Sequence, residues 1–192
     1  PRVYIERIEI VGNVRTLDTV IRREIRLVEG DAYNRVLVDR ARRRITALDF
    51  FAKVDIKEAP GSAPDKVVMI VEVEEKSTGS LAFGAGFSTA ETLLGDITLT
   101  ERNFLGRGQF VRLRTSLSFK RQQLDFRFTE PYFLGYRLAA GFDIFKSTTS
   151  SNDYYDYSEQ GITLRVTAPI TEELATTFRY TYKTIKYEED GA

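Results

Sequence analysis

The sequence predicts an α+β domain of order β-α-α-β-β over residues 1–76, followed over residues 77–192 by an all-β antiparallel meander forming part of a transmembrane β-barrel. Three observations carry this expectation. Apolar residues recur at helical spacing in two stretches of the first part, and at every second position throughout the second. Aromatic content shifts at the same place: Tyr and Phe number 10 and 13, yet only Tyr4, Tyr33, Phe50 and Phe51 precede residue 77. The expected strands of the second part run to about 8–13 residues, long enough for tilted membrane strands, with Tyr and Phe near their ends. The boundary falls near Lys76-Ser77-Thr78-Gly79.

In the first part, Val3, Ile5, Ile8 and Ile10 make a β-prone start that stops at Gly12-Asn13, a pair that tolerates positive φ. Thr16 is the expected N-cap of a first helix, in which Leu17, Val20, Ile21, Ile25 and Val28 recur on one face and which Gly30 closes. Asn34 is the expected cap of a second helix. Its apolar stripe is Leu37, Ala41, Ile45 and Leu48, with Arg40, Arg42, Arg43 and Arg44 mostly off it. Strands from Phe51 to Lys57 and from Val67 to Glu75 follow, joined by a Pro- and Gly-containing loop from Ala59 to Asp65. A module this small has a thin core and at least one open sheet edge, which an extended chain can lengthen by backbone pairing.

The second part reads as seven strands. Gly79 to Phe87 and Gly95 to Glu101 come first. In the next, Val111, Leu113, Leu117 and Phe119 oppose Arg112, Arg114, Ser116 and Ser118; then Leu124, Phe126 and Phe128 oppose Asp125, Arg127 and Thr129. Ala140, Phe142 and Ile144 oppose Gly141 and Asp143; Ile162, Leu164 and Val166 oppose Thr163 and Arg165; Phe178, Tyr180 and Tyr182 oppose Arg179, Thr181 and Lys183. A soluble sandwich alternates in the same way, but strand length, terminal aromatics and loop asymmetry favour the bilayer. An Arg at the lipid midplane costs about 2–4 kcal/mol. Arg112, Arg114, Arg127, Arg165 and Arg179 therefore belong on the lumen face with Asp125 and Asp143.

Two turn segments stand between these strands: Asn103-Phe104-Leu105-Gly106-Arg107-Gly108-Gln109 and Glu130-Pro131-Tyr132-Phe133-Leu134-Gly135. They resemble the inner-side turns of the BamA family of outer-membrane barrel assembly factors. The β-α-α-β-β order, with Gly12-Asn13 after the first strand and Phe50-Phe51 leading into the second, resembles the POTRA domain of the same family. The resemblance implies a barrel-proximal POTRA domain in the periplasm and the first seven strands of an incomplete barrel in the outer membrane of a Gram-negative cell. With the first strand running outward, Asn103–Gly108, Glu130–Gly135 and Pro169–Glu172 fall on the inner side and the longest loop, Ser147 to Asp156, outside.

The same resemblance implies the function: assembly and insertion of outer-membrane barrels, by templating client strands on the POTRA edge and at a lateral gate. The gate strand is the first, with Gly79, Ser80, Leu81, Phe83, Gly84, Gly86 and Phe87; the interior glycines Gly84 and Gly86 weaken it or mark a bulge. The implied partners are outer-membrane lipoproteins of the assembly complex, unfolded outer-membrane protein clients and the lipid bilayer. By position, Arg22 and Glu29 carry over to lipoprotein docking, against the simpler reading of a solvated helix face. A secretion pore of the same superfamily, exporting one dedicated protein, is the alternative.

Other chemistry is poorly supported. Lys plus Arg and Asp plus Glu both total 28, so no basic excess points to nucleic acid. His and Cys are absent from this chain, which removes Ser-His triads, thiol nucleophiles and the usual zinc sites, so no catalytic residue, metal or cofactor is expected. Gly106 and Gly108 lack the Lys-Ser/Thr of a phosphate-binding loop, and the carboxylates Glu172, Glu173, Asp153 and Asp156 sit in polar loops.

Overall fold

The computed structural model describes residues 1–90, 92–150 and 155–189. In chain order its elements are β1 (Tyr4–Val11), α1 (Asp18–Ile25), α2 (Arg35–Ala47), β2 (Phe51–Pro60) and β3 (Lys66–Glu75), then β4 (Gly79–Ser88), β5 (Thr92–Phe104), β6 (Gln109–Ser118), β7 (Arg121–Glu130), β8 (Ala139–Ser150), β9 (Tyr155–Pro169) and β10 (Ala175–Glu189). The chain divides into two compact units. One is Pro1–Thr78 together with Leu105–Gly108; the other is Gly79–Phe104 together with Gln109–Ala192.

The N-terminal unit holds a three-stranded sheet of order β1-β3-β2, in which β3 runs parallel to β1 and antiparallel to β2. Its two helices bury Val20, Ile21, Ile25, Val38, Ala41 and Ile45 against Ile5, Ile8, Met69 and Val71 of the sheet. Each such aliphatic side chain contributes about 1.5–3 kcal/mol on full burial, which is how so small a unit closes a core. The outer edge of β1 is covered: Ile5 donates to Asp31 O at 2.9 Å, Gly30 to Ile5 O at 2.8 Å and Tyr33 to Val3 O at 2.7 Å. The open edge of this sheet is therefore β2.

Helix boundaries differ from expectation in three ways. Thr16 is not the cap of α1; the N-cap position is Leu17, which makes no side-chain capping bond. The amides leading into the helix are satisfied from elsewhere, Arg15 N and Thr16 N by the Glu75 carboxylate at 3.0 Å and Leu17 N by Gly106 O at 2.8 Å. The helix also stops at Ile25, because Arg26 turns left-handed at φ 58° and folds Leu27 back into the core while Val28 stays exposed. The Arg44 guanidinium then caps the released carbonyls, reaching Glu24 O at 2.7 Å and Ile25 O at 3.1 Å. In α2, Asn34 caps as expected through Val36 N at 2.9 Å, but Val38 takes the core position expected of Leu37, which is exposed.

The second unit is a seven-stranded antiparallel meander, each strand pairing with its sequence neighbours from β4 to β10. Its strands outrun the sequence reading, with β9 and β10 each at 15 residues. The expected long outer loop from Ser147 to Asp156 is shorter, because β8 continues to Ser150 and β9 begins at Tyr155. Residues 151–154, including Asp153, lie outside the described residues. Within the described residues the sheet does not close on itself.

Candidate functional site

The two faces of the meander differ in chemistry. Strand register stacks Leu81, Leu99, Leu113, Phe126, Ile144, Ile162 and Tyr182 in one row across all seven strands, and the neighbouring row includes Val111, Phe128, Phe142, Leu164 and Tyr180. Many side chains on this face are open to the outside, in these rows Leu81 at 56% exposed and Tyr182 at 64%. An apolar surface of this extent is not stable against water and marks contact with lipid or another apolar partner.

The opposite face is polar and cross-linked. Arg127 stands opposite Asp143 and Arg165 opposite Gly141, so the Asp143 carboxylate lies between two guanidiniums, 3.1 Å from Arg127 Nε and 2.9 Å from Arg165 Nε. Arg165 also donates to Phe128 O at 3.1 Å and Thr129 Oγ1 at 3.0 Å, and its side chain is only 10% exposed. A Cβ at Gly141 would strike Phe128 O at 2.3 Å and Arg165 Nη2 at 2.8 Å, so the glycine accommodates both the neighbouring strand's carbonyl and the guanidinium bonded to it. Alternation put these charges on one face; only the register shows which carboxylate joins which cations. Arg114 stands opposite Asp125, while Arg112 and Arg179 stand opposite Arg127 and Arg165. Further out, Lys183 pairs with Glu159 at 3.1 Å.

The expected gate strand is β4, paired with β5 along its whole length, from Gly79 opposite Glu101 to Ser88 opposite Thr92. Among the described residues its other edge is unpaired. Leu81, Phe83 and Phe87 lie on the apolar face, Ser80, Gly84 and Gly86 on the polar one. The pairing carries no register shift, so neither glycine marks a bulge. Gly84 is covered by Asp96, whose Oδ1 would lie 2.0 Å from an added Cβ, whereas nothing lies within 4 Å of one at Gly86.

The two turn segments prove to be joined. Gln109, at the end of the first, donates through Nε2 to Glu130 of the second at 2.7 Å, and the same carboxylate accepts Tyr132 N at 3.1 Å. In the first segment a register shift between Glu101 and Phe104 adds a residue to β5 and leaves Asn103 buried, its amide donating to Glu101 Oε1 at 2.9 Å. Leu105, Gly106 and Gly108 follow at φ 55°, 70° and 71°, with Arg107 between them. A Cβ at Gly106 would sit 1.9 Å from Arg15 O, and one at Gly108 3.1 Å from Val20 Cγ1, which explains both glycines. In the second segment Pro131 follows the last residue of β7, and Phe133 N donates to Leu138 O at 2.8 Å to close a turn through Leu134 and Gly135.

Arg22 lies on the exposed face of α1, where its Nε meets Asp18 Oδ2 at 3.1 Å and its Nη2 donates to Ile8 O at 3.1 Å. Glu29 is exposed in the segment after the helix ends, so the unexpected stop at Ile25 separates the two residues by a change of chain direction.

Comparison with known proteins matches both parts. Residues 103–192 match the Omp85 superfamily domain, and residues 3–76 match the POTRA model, described as surface antigen variable number repeat. The outer membrane protein assembly factor BamA of Nitratidesulfovibrio vulgaris is 32% identical over 97% of this chain. The chain spans only 22% and 23% of the first two curated relatives that it matches. Among solved structures, BamA from Haemophilus ducreyi lacking POTRA domains 1-3 superposes with a TM-score of 0.84 at 26% identity, over 98% of this chain and 36% of that one. CdiB from Acinetobacter baumannii shares the fold at 14% identity, with a TM-score of 0.67 over 98% of this chain and 39% of that one.

Proposed function

The chain belongs to the Omp85 superfamily, and from that premise we propose that it is the barrel-proximal POTRA domain and first barrel strands of an outer-membrane protein assembly factor of the BamA type. The observation that carries the reading is the continuous apolar row from Leu81 on β4 to Tyr182 on β10, opposite a polar face, in a chain whose residues 3–76 match the POTRA model. An unpaired strand edge at membrane depth leaves backbone donors and acceptors whose isolation in hydrocarbon costs several kcal/mol each, so it seeks another strand. In the assembled protein that strand is the last of the barrel, or transiently a strand of a client. The chemistry is exchange of backbone hydrogen bonds, with no covalent step.

The N-terminal unit then faces the periplasm, where the open edge of β2 offers a first docking place for an extended client. Lys53, Asp55 and Lys57 along this edge, and Pro60 at its end, guard it against indiscriminate pairing. Arg22 and Glu29 are the residues we assign to lipoprotein docking. Both are exposed, and Arg22 holds a fixed orientation through Asp18 and Ile8.

The deciding experiment places the full-length protein in liposomes and follows folding of an unfolded outer-membrane barrel. Several-fold acceleration over empty liposomes is expected, abolished by a disulfide that joins β4 to the last strand and restored on reduction. Unaccelerated folding by a properly folded protein would overturn the assignment, and acceleration that survives the disulfide would remove the seam from the mechanism.

A further inference from the structure

On the C-terminal strands of the sheet the apolar face stops at one row of side chains, whereas the next row continues apolar on β7, β5 and β4 through Leu124, Ile97 and Phe83. On β8, β9 and β10 the last apolar row is Ile144, Ile162 and Tyr182. The next is Lys146, Gln160 and Thr184, then Thr148, Ser158 and Lys186, and finally Ser150, Asp156 and Glu188. Successive rows lie about 7 Å apart along a strand. Both lysines therefore stand within one or two steps of the hydrocarbon limit, on the same face as the acyl-chain surface. β8 and β10 end here and β9 begins here, while β4, which runs the same way as β8 and β10, begins at the other end of the sheet.

Lys146, Thr148, Ser158, Gln160, Thr184 and Lys186 line one shallow open depression on this face, and the carboxylates of Asp156 and Glu188 complete its lining one row beyond Lys186 and two beyond Lys146. Among the described residues neither lysine is engaged in an ion pair, in contrast to Lys183 on the opposite face, which is held by Glu159. Lysine stems lie along apolar surface while their ammonium groups seek anions at the headgroup level. Two cations with surrounding hydroxyl and amide donors, directly above an acyl-facing band, complement a phosphate whose own chains descend along that band.

We propose that the distal outward face of β8–β10 is a binding site for the phosphate-bearing headgroup of an anionic lipid, with Lys146 and Lys186 as its cations and Gln160, Ser158 and Thr184 as neutral donors. Continuity with the apolar band selects a lipid over free phosphate, because only a lipid occupies both surfaces at once. The site rests on the membrane reading of this sheet.

The test is lipid retention by the full-length protein in non-ionic detergent, read by native mass spectrometry with phosphatidylglycerol and phosphatidylcholine of identical acyl chains. The wild type is expected to retain phosphatidylglycerol several-fold more than phosphatidylcholine, with millimolar inorganic phosphate leaving the preference intact. The K146Q/K186Q variant is expected to lose most of that preference, while K146R/K186R and the opposite-face variant K183Q keep it. Equal retention of the two lipids by the wild type would overturn the site while leaving the membrane reading in place. Retention of neither would remove the membrane reading itself. Loss of the preference in free phosphate, or its persistence in K146Q/K186Q, would also overturn the assignment; should that double variant not fold, K146Q and K186Q singly are expected to reduce the preference, and an undiminished preference in both is equally fatal.

Discussion

Single residues here are chosen by what a side chain would strike. Gly106 combines φ 70° with a backbone oxygen 1.9 Å from a built Cβ, and Arg15 O cannot swing aside as a side chain can. Gly106→Ala is expected to cost about 2 kcal/mol or more, from left-handed strain and from displacement of the bond between Leu17 N and Gly106 O. Gly86→Ala, with open space around it, is expected to be neutral or stabilising by up to about 0.5–1 kcal/mol. Urea titration of the full-length protein in micelles measures both, and equal midpoints for the two variants would contradict the account. Sequence reading identified the segment of Gly106 as a turn and that of Gly86 as a strand but assigned no reason to Gly106, because the atom that excludes a side chain comes from Arg15, far away in the chain. A second residue-scale case is Glu6, whose carboxylate accepts the side-chain hydroxyl and, at 3.0 Å, the amide of Ser62. The hydroxyl bond, followed by the amide bond, holds Glu6 below its ordinary value of 4.5. Its stabilising effect is therefore complete above the ordinary carboxylate range and is lost as pH falls through the lowered folded value. Following the Ser62 amide by NMR on acidification should give a midpoint below that ordinary value, and a midpoint at or above it would remove the bond's role.

At the level of elements, propensity and pattern located both α-helices and the ten strands of the described residues, and tertiary contacts decided where the first helix began and ended. The residues from Leu17 to Val28 keep a helical apolar spacing, yet the helix stops at Ile25 because Arg44, one turn from the end of α2, takes its last carbonyls. An arginine in a run of four out of five residues reads as solvated surface, and nothing in the sequence singles out the one that turns inward. Arg44→Met keeps the stem and removes the donors. The loss of two charge-assisted bonds to part-buried carbonyls is expected to cost about 1.5–3 kcal/mol. It should speed amide exchange across α1 more than across α2, and uniform exchange in both helices would show that the cap is not local. The Arg127–Asp143–Arg165 group follows the same logic on the sheet: alternation placed all three on one face, and the pairing register brought them together. The bond from Gln109 to Glu130 was equally invisible, since it joins two turns that the sequence presents as separate.

For the whole molecule, dyad alternation gave the meander its order, but only the coordinates show whether a second sheet of the described residues covers its apolar face. The described residues place no second layer over Leu113, Ile144, Leu164 or Phe178, and these side chains remain between 38% and 67% exposed. The consequence is asymmetric tolerance of charge. Leu164 lies in the middle of β9 on the apolar face, and Thr163, its neighbour, lies on the polar face opposite Asp143. Leu164→Arg is expected to destabilise the protein in a bilayer by about 2–4 kcal/mol, whereas Thr163→Arg gains a carboxylate neighbour and stays within about 1 kcal/mol of the parent. A buried position in a soluble core would also reject the first substitution, so its magnitude alone does not identify the surroundings. Bilayer thickness does: an arginine that must reach the headgroups pays less when the hydrocarbon is thin, so the Leu164→Arg penalty should shrink as the vesicle acyl chains are shortened. Urea unfolding of full-length protein in vesicles of two chain lengths reads this directly, and a penalty indifferent to chain length would mean that Leu164 does not face lipid.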